Sequence, residues 1–271
     1  MFWRSCPGVT AVAACPFAAE GRYAVLTCAA EERYDARGLT CLAENDMAGA
    51  VALYYSSRAD TGNTARLLRA FLGGMERGGD VVESFAIMTL SISPCTGELA
   101  CWSKDPGRCY IQDDMQRLYP ALRAAQTLVL ATPVYIPLPG QMQNVLNRLC
   151  PLLDPELRTR EGRTRARMRR DVAIRRIAVV ATSGWWEVEN LDTVVRVARE
   201  LAEDASISFA GALLRPHAYV ALRPGPTAEE ILSAAEQAGF ELATQGVISG
   251  SALAAVSRPA ISREEYLRLQ A

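Results

Sequence analysis

The chain has 271 residues, 50% of them apolar, enough for one ordinary domain with an appendage or two small domains; a disordered or collagenous polypeptide is excluded. Its 29 basic and 30 acidic residues leave a net charge of −1, so no global field draws it to nucleic acid or to an anionic membrane. No stretch reaches the ~18 apolar residues of a spanning helix, so no membrane partner is expected. Val12-Ala13-Ala14-Cys15 has the outline of a lipoprotein cleavage site, but Arg4, Cys6 and Pro7 stand where an apolar core belongs. The cysteines at 6, 15, 28, 41, 95, 101, 109 and 150, in a chain with this much core, read as reduced thiols or metal ligands of a cytoplasmic protein.

Residues 1–48 carry four of those cysteines without a sustained helical or strand period, which marks a cysteine-containing N-terminal appendage to a domain over 49–271. From Ala50 onward, short apolar runs alternate with amphipathic stretches. The runs Val51–Tyr55, Val81–Ile87, Leu128–Ala131, Ile177–Ala181 and Ile207–Leu214 have the length of buried strands. Between them lie helical faces: Leu67, Leu68, Phe71, Leu72 and Met75; then Met115, Leu118 and Leu122; then Met142, Val145, Leu146 and Leu149; then Leu191, Val194, Val195, Ala198 and Leu201. Two further helices follow Pro226 and Ser262. The alternation predicts an α/β fold, a doubly wound five-stranded parallel sheet with right-handed crossovers. Asp113 with Gln116 reads as a capping box opening the second helix, and Pro120 is expected to kink or restart it after one turn. Arg158–Arg170 holds seven arginines in thirteen residues. It reads either as an RNA or phosphate patch or, with no aromatic residues interleaved for stacking, as a solvated loop in an unusually long connection.

Three strand ends carry loops able to bind a ligand. After the first strand, Ser56-Ser57-Arg58-Ala59-Asp60-Thr61-Gly62-Asn63-Thr64 opens a helix, so backbone N–H groups and hydroxyls would converge beside the positive end of the helix dipole. The segment is either a phosphate loop or an ordinary Ser/Thr/Asn capping turn. It lacks both the lysine-bearing nucleotide loop and G-x-G-x-x-G, which favours a terminal monophosphate. After the third strand, Thr132-Pro133-Val134-Tyr135-Ile136-Pro137-Leu138-Pro139-Gly140-Gln141 either rims a flat heterocycle or forms a plain turn. The fourth strand ends in Thr182-Ser183-Gly184-Trp185-Trp186, whose tryptophans either cover a ring or pack in the core. Loops after successive parallel strands share one crevice. His217, the only histidine, sits at a strand end and reads as structural.

Together these segments resemble the NAD(P)H-dependent FMN reductase and iron–sulfur flavoprotein family, which has a flavodoxin-like fold. Ser56–Thr64 resembles its G-S-P-R-x-x-G-N-T loop, keeping Ser57, Gly62, Asn63 and Thr64 but with Ser56 and Arg58 in place of glycine and proline. Thr132-Pro133-Val134-Tyr135, with Gln141 six residues on, resembles its S-P-V-Y flavin loop. Pro94-Cys95 through Cys101-Trp102 to Cys109 and Asp113-Asp114-Met115 resembles its cysteine segment. The likeness covers about residues 50 to 215. It implies FMN, with the phosphate on Ser57, Thr61, Asn63 and Thr64 and the isoalloxazine against residues 133–138; by the convergence of strand-end loops, Thr182, Ser183, Gly184 and Trp185 are expected beside them. It also implies NAD(P)H as donor, a small acceptor such as a quinone or free flavin, and a homodimer or homotetramer. Hydride passes through the flavin, so no side-chain acid or base is required.

The iron–sulfur branch has a C-x2-C-x2-C run followed by a fourth cysteine, whereas the order here is Cys95, Glu98, Cys101, Cys109. Soft irons prefer four thiolates, and a fourth donor would have to be Glu98, Cys28 or Cys41, or a neighbouring subunit. FMN without a stoichiometric [4Fe-4S] cluster is therefore expected. Two other readings remain, a non-enzymatic flavodoxin-like or iron–sulfur flavoprotein electron carrier, and a sensor that uses the domain only as a scaffold.

Overall fold

The computed structural model describes residues 49–270; the expected appendage, with Cys6, Cys15, Cys28 and Cys41, lies outside the described residues. In chain order the elements are β1 (Gly49–Tyr54), α1 (Asn63–Arg77), β2 (Val81–Ala86), α2 (Ala100–Ser103), α3 (Met115–Ala124), β3 (Thr127–Pro133), α4 (Gly140–Asn147), β4 (Arg158–Arg160), β5 (Arg163–Arg165), β6 (Arg176–Thr182), α5 (Asp192–Ala205), β7 (Ser208–Arg215), α6 (Ala218–Ala221), α7 (Pro226–Gln245), α8 (Gly250–Ser257) and α9 (Arg263–Arg268). Strands β2-β1-β3-β6-β7 form one sheet in that order, every pair parallel. This is the flavodoxin-like, doubly wound arrangement expected.

Successive strand residues point to opposite faces, and both faces of the central strands are apolar because helices cover both. Val51, Leu53, Leu128, Leu130 and Val179 face α3, α4 and α5. The interleaved Ala50, Ala52, Val129, Ala131 and Val180 face α1, α7 and α8. The helices α1 and α7 touch through glycines: a Cβ on Gly239 would stand 1.8 Å from the Phe71 carbonyl oxygen, and one on Gly74 would stand 1.8 Å from that of Glu236.

Three local expectations need correction. The helix α3 does not restart at Pro120 but continues through it to Ala124, with Met115, Leu118 and Leu122 fully buried and holding it against the sheet. Its start is not a capping box. The Asp113 carboxylate accepts the Met115 N–H at 3.0 Å, but the Gln116 amide turns to the carbonyls of Cys109 and Ile111 instead of reaching back. The arginine-rich stretch is not an open loop but contains the antiparallel hairpin β4–β5, turned by Glu161 and Gly162, both at positive φ. Arg163 and Arg165 pair with Glu200 and Glu203 of α5, Arg165 also with Asp204, and Arg167 with Asp154. Among the described residues, no helix is long and apolar enough to cross a membrane.

Candidate functional site

The chain leaves β1 for one edge of the sheet and returns at β3 on the other side, so the switch point lies between these two strands, where open α/β sheets bind ligands. Residues after β1 fold tightly. The Tyr54 hydroxyl donates to Asp60 Oδ1 at 2.8 Å, Arg69 donates to the Asp60 carbonyl at 3.0 Å, and the Thr61 N–H and hydroxyl both reach the Arg58 carbonyl, at 3.1 and 2.9 Å. The turn feeds into α1, whose N-cap is Gly62 and which has no side-chain cap. Its first-turn N–H groups are therefore left without side-chain acceptors at the positive end of the helix. A Cβ at Gly62 would stand 2.1 Å from Ser56 Oγ, so any larger residue there would make the Ser56 hydroxyl turn away. Ser56 Oγ itself is buried and, among the described residues, has no hydrogen-bond partner.

These groups open onto a cavity of about 260 Å³, lined by Ser56, Ser57, Arg58, Thr61, Gly62, Asn63 and Thr64, by Pro133 and Val134 after β3, by Thr182, Ser183 and Gly184 after β6, and by Ala218 and Tyr219 beyond β7. Short bonds fix the walls: Thr64 and Thr182 join hydroxyls at 2.7 Å, the Val134 N–H meets the Thr182 carbonyl at 2.8 Å, and the Ala218 N–H meets that of Ser183 at 2.9 Å. Among the described residues, no carboxylate lines the cavity. An orphaned buried hydroxyl, uncapped helical amides and Arg58 are groups of the kind that bind an anion. A larger depression, about 740 Å³, lies between residues 105–112 and α3, away from the strand ends. Of its charged lining, Arg123 is paired with Asp171.

Twelve of the residues singled out from the sequence thus share one wall; four do not. The Thr132 hydroxyl donates to the Pro133 carbonyl, and its side chain faces Leu130 and Met142 in a small apolar pocket. Tyr135, Ile136 and Trp185 stand outside the cavity and are exposed, Ile136 completely, with Tyr135 edge-on to Tyr55. Trp186 packs inward, stacked on His217 with its indole N–H on the Ile261 carbonyl. His217 is fully buried, its Nε2 accepting the Ala260 N–H at 3.1 Å; burial and the Arg215 guanidinium pull it down to about 4, so it is neutral. Sequence reading missed Ala218 and Tyr219. The rule that ligands lie beyond strand carboxyl ends, applied also to the fifth strand, would have found them.

Comparison with known proteins decides the family. The profile of the NADPH-dependent FMN reductase family matches residues 50–205. This chain belongs to that family. Over 91 residues it is 34% identical to an iron-sulfur flavoprotein of Archaeoglobus fulgidus, covering 33% of this chain and 40% of the relative. Over 103 residues it is 29% identical to one of Methanocaldococcus jannaschii, covering 37% and 52%. The matches therefore span only about half or less of those relatives. The fold is shared with an NAD(P)H:quinone oxidoreductase from Methanothermobacter marburgensis at TM-score 0.52 and 15% identity, over 72% of this chain and 97% of that one.

This family member also gathers cysteine side chains in a second, small pocket. Cys95, Cys101, Cys109 and Cys150, all free thiols, line one small pocket together with Glu98 and Arg148. Cys150 arrives because the corner after α4 is bolted to the cysteine segment. Arg148, fully buried, grips Asp113 at 2.8 and 3.1 Å and the carbonyls of Ser93 and Ile111 at 3.0 and 3.3 Å. The Trp102 indole N–H donates to the Cys150 carbonyl at 2.9 Å, and the Tyr119 hydroxyl to that of Arg148 at 2.9 Å. Burial pushes the Asp113 carboxyl up, but Arg148 and the N–H groups of Ser93 and Met115 outweigh it and hold it below the usual carboxylate range. Burial and the neighbouring thiols push Cys150 up to about 12. Cys150 lies far along the chain from the other three and was not among the fourth donors read from the sequence, which were Glu98, Cys28, Cys41 or a neighbouring subunit.

Proposed function

We propose that this protein is an FMN-dependent oxidoreductase taking electrons from NAD(P)H and passing them to a small acceptor such as a quinone or free flavin. The observation that carries the reading is the unpartnered Ser56 hydroxyl beside the uncapped start of α1, on a wall without carboxylates. Ser56, Ser57, Thr61, Asn63 and Thr64 would hold the FMN phosphate, with Arg58 adding charge. A volume of about 260 Å³ falls below the ~300–1,000 Å³ of complete small-molecule sites, so it suits the phosphate and ribityl end. The isoalloxazine would lie across Pro133 and Val134 at the mouth, beside the exposed Tyr135, Ile136 and Trp185. There a second copy of the chain, in a homodimer or homotetramer, would cover it.

Bound FMN supplies hydride chemistry; the residues of the cavity bind and orient. The two titratable side chains on the wall are suited to binding and not to proton transfer. Arg58 is a fixed cation, and burial together with Tyr266 pushes the Tyr219 hydroxyl up to about 12, so it remains a donor. A cytoplasmic location fits the free thiols. The iron-sulfur names of the relatives raise a second cofactor, for which Cys95, Cys101 and Cys109 alone provide three of the four thiolates a [4Fe-4S] cluster takes.

The test is the absorption spectrum of the purified chain together with NAD(P)H oxidation in the presence of a quinone or free flavin. A yellow protein with stoichiometric FMN and steady turnover is expected. A yellow protein without turnover would make it an electron carrier, which the exposed Ile136 and Trp185 would suit as a docking rim. A protein that stays colourless after incubation with FMN contradicts the reading.

A further inference from the structure

We propose that Tyr219 is a further binding residue of the flavin cavity, accepting a hydrogen bond from the ribityl chain of FMN, and that Tyr266 of α9 is the positioning residue that holds it there. The assignment rests on the flavin reading above. Both residues lie beyond residue 205, where the match to the family profile ends, so neither belongs to the loops after β1, β3 and β6.

The Tyr219 ring forms the β7 end of the cavity, across from Gly184, where a Cβ would stand 3.8 Å from Tyr219 Cε1. A series of bonds fixes that end to residues 256–266. Arg215, fully buried, donates to the carbonyls of Val256 and Arg258 at 2.6 and 2.8 Å. His217, also fully buried, accepts the Ala260 N–H, and the Trp186 indole donates to the Ile261 carbonyl at 3.3 Å. Tyr266, itself buried, donates to the Gly184 carbonyl at 2.8 Å; its ring lies 6.2 Å from that of His217 and 6.1 Å from that of Tyr219, centroid to centroid. Burying a guanidinium and an imidazole is costly unless their hydrogen bonds are met, and flavin binding by the loops after β1 and β3 uses neither. Anchoring Tyr266 beside the cavity gives both a role.

The direction of the hydroxyl protons decides which part of the ligand Tyr219 meets. Tyr266 commits its proton to the Gly184 carbonyl, so toward Tyr219 it can only accept. Burial and the Tyr266 hydroxyl keep the proton on Tyr219, which is pushed up to about 12. With that proton turned to Tyr266, the Tyr219 oxygen offers its lone pairs to the cavity. A phosphate dianion has no proton to give them, whereas each ribityl hydroxyl has one.

The test is titration of the flavin-free protein with FMN, with riboflavin and with lumiflavin, which carries a methyl group in place of the ribityl chain, for the parent, Tyr219→Phe, Tyr266→Phe and the double variant. Tyr219→Phe should weaken FMN and riboflavin by the same factor, roughly three- to tenfold, and leave lumiflavin unchanged. Tyr266→Phe should weaken the same two ligands, and the double variant should bind no more weakly than Tyr219→Phe alone, because one residue acts through the other. A merely structural Tyr266 would lower the urea midpoint and leave the affinities where they are, which overturns its positioning role, as do additive losses. Unchanged affinities in Tyr219→Phe overturn the proposal, as does a loss confined to FMN, which puts the hydroxyl on the phosphate, or one shared by lumiflavin, which puts it on the ring. A parent that binds FMN and fails these tests refutes this assignment alone; a parent that binds none of the three flavins refutes the flavin reading and this assignment with it.

Discussion

At the scale of single residues, the cradle after β1 depends on small groups in exact register with a helix start. Asn63 and Thr64 stand at its first two positions, and Thr64 also ties the loop to Thr182. Each donor to a charged group contributes roughly 1.5–3 kcal/mol, so replacing both by alanine should weaken FMN binding at least tenfold by flavin fluorescence titration; an unchanged affinity would place the phosphate elsewhere. His217 gives a pH signature. Its folded value of about 4 lies below the ~6.5 of an exposed histidine, so the unfolded chain binds more protons between these values and stability falls as pH drops through that window. Between pH 7 and pH 5 the parent should lose about 2 kcal/mol more than His217→Gln in urea unfolding. Parallel pH profiles would show that the ring is not held neutral. The polar loop residues were legible because a strand, a hydroxyl-rich turn and a helix start follow one another in sequence. Tyr219 and Cys150 were not, because what places them is the packing of distant segments.

At the scale of elements, the five parallel strands were legible as apolar runs, since helices cover both faces of the sheet. The hairpin β4–β5 was not, because its Arg-Thr-Arg strands carry no apolar face, and it is pinned by the acidic side of α5. The helix α8 escaped notice because Ala-rich Gly250–Ser257 has little polar contrast around its axis, although Ser249 caps it. Gly239 fixes how closely α7 approaches α1. Alanine in a free helix would gain ~0.5–1 kcal/mol over glycine, yet here its methyl meets the Phe71 carbonyl, so Gly239→Ala should instead destabilise by ~1–3 kcal/mol in chemical unfolding. A stabilised variant would refute the close crossing. Arg148 joins the α4 corner to the cysteine segment, and Arg148→Met strands the Asp113 carboxylate where it is nearly buried. Removing one partner of a buried pair costs ~3–5 kcal/mol. Urea unfolding checks this, and a loss below ~1 kcal/mol would contradict the rivet.

At the scale of the whole molecule, the sheet order places the loops after β1, β3 and β6 at one crevice, and the hydrogen bonds between Thr64 and Thr182 and between Val134 and Thr182 close them around it. The central claim is that the cavity is a phosphate cradle holding FMN. It is tested most directly by titrating the flavin-free protein with FMN and, in parallel, with riboflavin, which differs only in lacking the phosphate. Several charge-assisted bonds at ~1.5–3 kcal/mol each predict that FMN binds at least a hundredfold more tightly; equal affinities for the two flavins, or no binding of either, would contradict the account.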